Sequence, residues 1–158
     1  MSQIALVTGA SSGIGAASAL ALAEEGFHVV AAARRTDMLA DLAARHPQIE
    51  AVALDVTDPA SVDALAARLQ DADVTVLVAN AGGAFDGTTI SDADIDSWVK
   101  SYDINVVGVV RTVKALLPKL VESGRGTIVI MGSTAGRIVY ENGGSYTAAK
   151  HGTAAVAE

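Results

Sequence analysis

TGASSGIG, running from Thr8 to Gly15, is the stretch whose reading decides the fold. An apolar run, Ile4 to Val7, precedes it and an alanine-rich segment follows, so it reads as the turn from a buried strand into a helix. Glycines in such a turn let the backbone approach a diphosphate with no Cβ in the way, while the first helical amides and the positive end of the helix dipole face the anion. The glycines are Gly9, Gly13 and Gly15, a TGxxxGxG spacing and not GxGxxG. Taken alone, a Gly/Ser-rich strand-to-helix turn is as often only a turn.

The remaining composition narrows the classes. A chain of 158 residues, 51% apolar and only 4% aromatic, suits one domain with an alanine- and valine-rich α/β core. A net charge of -7 argues against nucleic acid or an anionic membrane as the main partner, because both require a basic face. Without cysteine there is no disulfide framework, no thiolate nucleophile and no cysteine-ligated metal. No metal site is expected. The sequence shows no leader pattern and no long uncharged apolar run, so a cytoplasmic location is expected.

Taken in order, residues Ala16 to Glu25 form a helix closed by Gly26, and Phe27 to Ala32 a second buried strand. That strand ends in Arg34 and Arg35, where a dinucleotide fold carries either an acid for the ribose hydroxyls or an arginine that grips a 2'-phosphate. No acid is present, which tilts the cofactor to NADP(H) over NAD(H), with Arg34 and after it Arg35 on the phosphate. Met38 to Arg45 supplies a short helix, and Ile49 to Leu54 a third strand running into Asp55 and Val56 at the ligand-binding edge. Asp58 and Pro59 start the next helix. Val74 to Ala79 is a fourth strand and gives way to Asn80, Ala81 and Gly82. A long helix capped by Ser91 to Asp94 then carries Trp98 and Asn105 and ends near Pro118. Asn105 stands among apolar neighbours in mid-helix, which suggests a role beyond helix formation. Thr127 to Met131 is the fifth strand, followed by Ser133 and, beyond a glycine-rich loop, by Tyr146 and Lys150, four apart on one helix face. Strands alternating with helices at this rhythm mean right-handed βαβ units: an α/β, Rossmann-like, doubly wound parallel sheet.

TGASSGIG, Asp55, Asn80-Ala81-Gly82, Asn105, Ser133 and Tyr146-xxx-Lys150, in that order, resemble the short-chain dehydrogenase/reductase family. The spacing of the first motif resembles the branch of the dehydrogenases and not the extended branch of the sugar epimerases. The resemblance covers all 158 residues. It implies an enzyme that passes hydride between a nicotinamide and a secondary alcohol or ketone. Tyr146 would be the acid/base, Lys150 would lower its pKa and bond the nicotinamide ribose, Ser133 would donate to the substrate oxygen, and Asn105 would hold a relay water. Chemistry supports this independently: a phenol of ordinary pKa near ~10 is a poor base at neutral pH, and a close ammonium lowers it by about 1 to 3 units. The resemblance also puts Gly9, Ser12, Gly13, Ile14 and Gly15 at the diphosphate, Asp55 and Val56 at the adenine, and Asn80, Ala81 and Gly82 at a ribose. The segment GSTAGRIVYENGGSYTAAK is similar to NADP-dependent 3-hydroxy acid dehydrogenases of the serine type, with Arg137 or Tyr140 at the polar end of a small substrate.

Members of this family continue past the position of Glu158 with two further strands and a substrate lid. On that comparison the 158 residues make one incomplete dinucleotide-binding domain, with the fifth strand an unpaired edge and activity weak at best. A homodimer or homotetramer is expected of the longer form. A dinucleotide sensor without catalysis, or an inert fragment, stays open as an alternative.

Overall fold

A computed structural model describes residues 3–158. The first strand, β1 (Ile4–Thr8), leads through the glycine turn into α1 (Gly13–Glu24), so Gly13 and Gly15 already belong to the helix. Gly26 ends that helix at φ +92°, a left-handed conformation that a side chain disfavours. The chain continues through β2 (His28–Ala33), α2 (Thr36–Ala43), β3 (Ile49–Ala53), α3 (Pro59–Arg68) and β4 (Val74–Ala79). Then come α4 (Ile95–Tyr102), a π turn (Asp103–Val107), α5 (Gly108–Glu122), β5 (Thr127–Ile130) and α6 (Gly144–Ala157). All strands run parallel in the order β3-β2-β1-β4-β5. This is the doubly wound α/β sheet that the alternating pattern predicts.

Side-chain alternation explains the two layers. Leu6, Val30 and Leu77 point to one face, where they meet Val62 and Leu65 of α3 and Leu116 and Leu120 of α5. Their neighbours Ala5, Val7, Val29 and Ala31 point to the other, against Ala19 and Ala23 of α1 and Leu39 and Leu42 of α2. Small residues on the second face let α1 sit close, which aims its amino end at the edge of the sheet. Between β1 and β4 the order of connection reverses, and a crevice opens at the carboxyl ends of these strands. At the far side β5 is an edge strand with Thr127 and Val129 exposed. Among the described residues no helix is long and apolar enough to cross a membrane.

Two expectations are corrected. The long helix is interrupted: Gly108 N donates to Asp103 O, five residues back, and the widened turn contains Asn105. Pro118 also does not end it, since α5 runs on to Glu122. The proline is exposed, while Leu116 and Leu120 on either side are 1% and 3% exposed and hold the helix to the sheet. Burial of each contributes roughly 1.5–3 kcal/mol and outweighs the local preference. Pro118→Ala should therefore raise stability by about 1 kcal/mol or more, measured by urea unfolding, because alanine restores the missing donor and relieves the helix-interior cost of proline. An unchanged or lowered midpoint contradicts this account.

Candidate active site

The crevice is built around Thr8, Asn80 and the glycines. Thr8 Oγ1 accepts from the N–H groups of Asn80 and Ala81, each at 3.0 Å. Asn80 Nδ2 donates back to Thr8 O at 3.0 Å and Gly9 O at 3.3 Å. A Cβ on Gly9 would lie 2.8 Å from Ala81 Cα, and one on Gly15 would lie 2.5 Å from Asn80 Nδ2, so both positions must be bare. Gly13 differs. Its φ is +57° and nothing stands within 4 Å of where its Cβ would be, leaving open space in front of α1. Ser12, the residue before the helix, makes no side-chain cap, and the first amides of α1 face that space.

Gly9, Ser12, Ile14, Arg34, Arg35, Asp55, Val56, Asn80, Ala81 and Gly82 all line one cleft of about 350 Å³. Ser11 and Ile104 line it as well. Sequence reasoning passed over both, although Ser11 sits inside the glycine motif and Ile104 beside the conspicuous Asn105. At one end Arg35 is tied down: its Nη2 donates to Ser11 Oγ at 2.9 Å and Ser12 Oγ at 2.6 Å, and its Nε to Ser11 Oγ at 3.2 Å. Arg34 borders the same cleft and lies close enough to Asp55 for its charge to act on the carboxylate. Burial raises the Asp55 carboxyl, but hydrogen bonds from Thr57 Oγ1 (2.7 Å) and Thr57 N (2.9 Å), then the charges of Arg34 and Arg111, outweigh it and hold the pKa below its ordinary value. Guanidinium groups, free helical amides and bare backbone form a donor set that fits the phosphates of a dinucleotide.

At the other end α6 supplies Tyr146 and Lys150. Lys150 is 6% exposed, its Nζ donates to Met131 O at 2.9 Å, and it stands 5.8 Å from the centre of the Tyr146 ring. A Cβ on Gly82 would lie 3.7 Å from Lys150 Nζ and 2.5 Å from Asn105 Oδ1, so this bare position joins the cleft to the lysine and the asparagine. Gly136 lets the loop after β5 reach α6, since a Cβ there would meet Lys150 O at 2.6 Å. In that loop Ser133 Oγ accepts from Ala135 N at 3.1 Å, which leaves its own hydrogen free to donate.

Asn105 is fully buried and joins three segments. Its Nδ2 donates to Gly83 O and Ser101 O, both at 2.8 Å, and its Oδ1 accepts from Gly83 N at 3.2 Å. Its carbonyl accepts from Thr153 Oγ1 of α6 at 2.8 Å. These bonds leave one lone pair on Oδ1 for any water. The Tyr140 ring packs on Gly143 and lines a groove with Thr147 and His151 of α6. Arg137 is exposed. The histidines serve packing and surface contacts, His28 with Glu50, His46 Nδ1 with Gln48 N and His151 with Thr147 O.

Residues 3–158 match the family model described as short chain dehydrogenase. The chain belongs to this family. It is 51% identical over 156 residues to an uncharacterized oxidoreductase of Mycobacterium tuberculosis strain H37Rv, a match covering 98% of this chain and 60% of that protein. Among solved structures, an alcohol dehydrogenase from Thermococcus sibiricus complexed with 5-hydroxy-NADP superposes with a TM-score of 0.92 at 31% identity, covering 99% of this chain and 68% of that one. The closed form of serine dehydrogenase complexed with NADP+ superposes at 0.89 with 33% identity, covering 94% and 61%. The chain thus spans about 60% of the length of the curated relative and of the serine dehydrogenase.

Burial pushes the Lys150 pKa down from its ordinary 10.5. Between the lowered value and the ordinary one the unfolded chain binds the extra proton, so this residue's contribution to stability grows as pH rises through that window and is complete above it. Relative to Lys150→Met, the native chain should therefore gain unfolding free energy as pH is raised from neutrality toward 10.5. Urea titrations at several pH values measure the difference, and a gap that stays constant removes the argument.

Proposed function

We propose that the chain is the cofactor-binding and proton-transferring part of an NADP(H)-dependent oxidoreductase acting on a secondary alcohol or its ketone, with a small 3-hydroxy acid as the favoured substrate. The observation that carries this reading is the buried Lys150 ammonium beside the Tyr146 ring, at the end of a cleft whose opposite end is rimmed by Arg34 and Arg35. When bound, the cofactor supplies hydride to, or takes it from, the carbinol carbon. Every proton is handled by the chain. Tyr146 removes or returns the hydroxyl proton, with the buried Lys150 ammonium beside its ring. Ser133 directs its free hydrogen at the substrate oxygen, where charge develops. Asn105, through Gly83 and Thr153, holds the loop after β4 against the π turn and α6, and we assign to its remaining lone pair the water that replenishes Lys150.

Arg34 and Arg35 support the preference for a 2'-phosphate, and the NADP complexes of the two solved relatives agree with it. The serine dehydrogenase likeness supports the 3-hydroxy acid, with Arg137 or Tyr140 at the polar end of the substrate. Tyr102, Val110, Leu117 and Val121 are exposed apolar residues along α4 and α5, which supports a homodimer or homotetramer.

Two experiments test the reading. NADPH oxidation against a panel of small 3-oxo acids and uncharged ketones should show turnover that falls at least about 100-fold in Tyr146→Phe, with NADP+ affinity retained. Turnover that survives this substitution sinks the mechanism. Isothermal titration of NADP+ and NAD+ should show that Arg34→Ala and Arg35→Ala weaken NADP+ by about tenfold or more and leave NAD+ nearly unchanged; equal losses for the two nucleotides contradict the 2'-phosphate assignment.

A further inference from the structure

Resting on the NADP(H) reading above, with the adenine at Asp55 and Val56 as the family resemblance implies, we infer that Arg111 is a positioning residue for that end of the cleft, acting through the backbone at Val56. Arg111 belongs to α5 and does not line the cleft. Its Nη1 donates to Val56 O at 2.6 Å and its Nη2 to Asp103 Oδ1 at 3.3 Å. Val56 and Asp55 both line the cleft. The guanidinium therefore holds the turn after β3 from behind, while its second arm is fixed at the first residue of the π turn.

A second contact makes the same junction. A Cβ on Gly108 would lie 2.8 Å from Val56 Cγ2, so the Val56 side chain, 5% exposed, is seated directly on the backbone where the π turn passes into α5. The other anchors lie close in sequence: Thr57 holds the Asp55 carboxylate, and Ser61 Oγ of α3 accepts from Asp55 N at 3.0 Å. Arg111 is the polar link from the neighbouring helix, and it carries charge as well as shape. Together with Arg34 it favours the ionised Asp55. An ionised carboxylate is an acceptor only, so the atoms it selects at the base are N–H donors, and the exocyclic amine of adenine is such a donor. A guanidinium suits the task because its fork serves a carbonyl and a carboxylate at once, where an ammonium keeps the charge but not that fixed two-armed geometry.

The test compares NADP+ with its hypoxanthine analogue, which lacks the exocyclic amine, by isothermal titration of wild type, Arg111→Met and Arg111→Lys. Wild type should prefer NADP+. Arg111→Met should weaken NADP+ by about tenfold or more while changing the analogue less than about threefold, so the preference disappears. Arg111→Lys should recover part of it. Should the methionine variant fail to fold, the lysine variant must still show a smaller loss confined to NADP+. Undiminished NADP+ affinity, an equal loss for both nucleotides, or a wild type that binds the two alike overturns the role of Arg111. A wild type that binds neither overturns the NADP(H) reading and this proposal with it.

Discussion

The Thr8 hydroxyl, accepting two backbone N–H groups from the end of β4, is the constraint on which the cleft depends. Strands β1 and β4 are neighbours, but the chain leaves them in opposite directions, and nothing in a parallel ladder fixes where the two departing loops go. The threonine bonds set that geometry, and Asn80 reinforces it by donating to Thr8 and Gly9 carbonyls. Once these loops are pinned, there is no room for side chains at Gly9 and Gly15. The unusual spacing of the glycines is thus a packing requirement at two positions and an opening for a ligand at the third.

Charge is distributed against the sign of the whole. The chain carries a net -7, yet Arg34 and Arg35 rim the cleft and the Lys150 ammonium stands behind Gly82, outside its lining. Salt screens the net charge beyond roughly a Debye length, so the donors inside the cleft decide how an anion binds at contact. Lys150 illustrates the compromise. Burial disfavours its charge, and the Met131 carbonyl partly compensates by accepting its hydrogen bond.

Much of this was legible in the residues. Alternation of apolar strands and amphipathic helices carries the sheet, and the motif residues fall at strand ends, where a parallel sheet presents its ligands. What escaped the sequence has physical causes. A π turn has no compositional signature, so Asn105 was visible as an anomaly without its explanation. Pro118 misled because exposure, which decides how much a proline costs, is a tertiary property. Ser11 and Ile104 are ordinary residues made part of the cleft by position alone.

The widened turn at 103–107 has a consequence for how the chain tolerates change in length. It contains one residue more than a regular turn, so deleting a single residue there would turn the i→i+5 bond into an ordinary i→i+4 one. Each residue of a regular α-helix is rotated about 100° from the last, but the widened turn spreads one revolution over an extra residue, so the phase of the helix beyond it would hardly change. Thr112, Leu116 and Leu120 would stay on the sheet and exposed positions such as Lys114 would stay in water. The same deletion farther along α5 would swing every residue that follows, so the widened turn is where the helix absorbs a change of length, at the expense of the irregular backbone around Asn105.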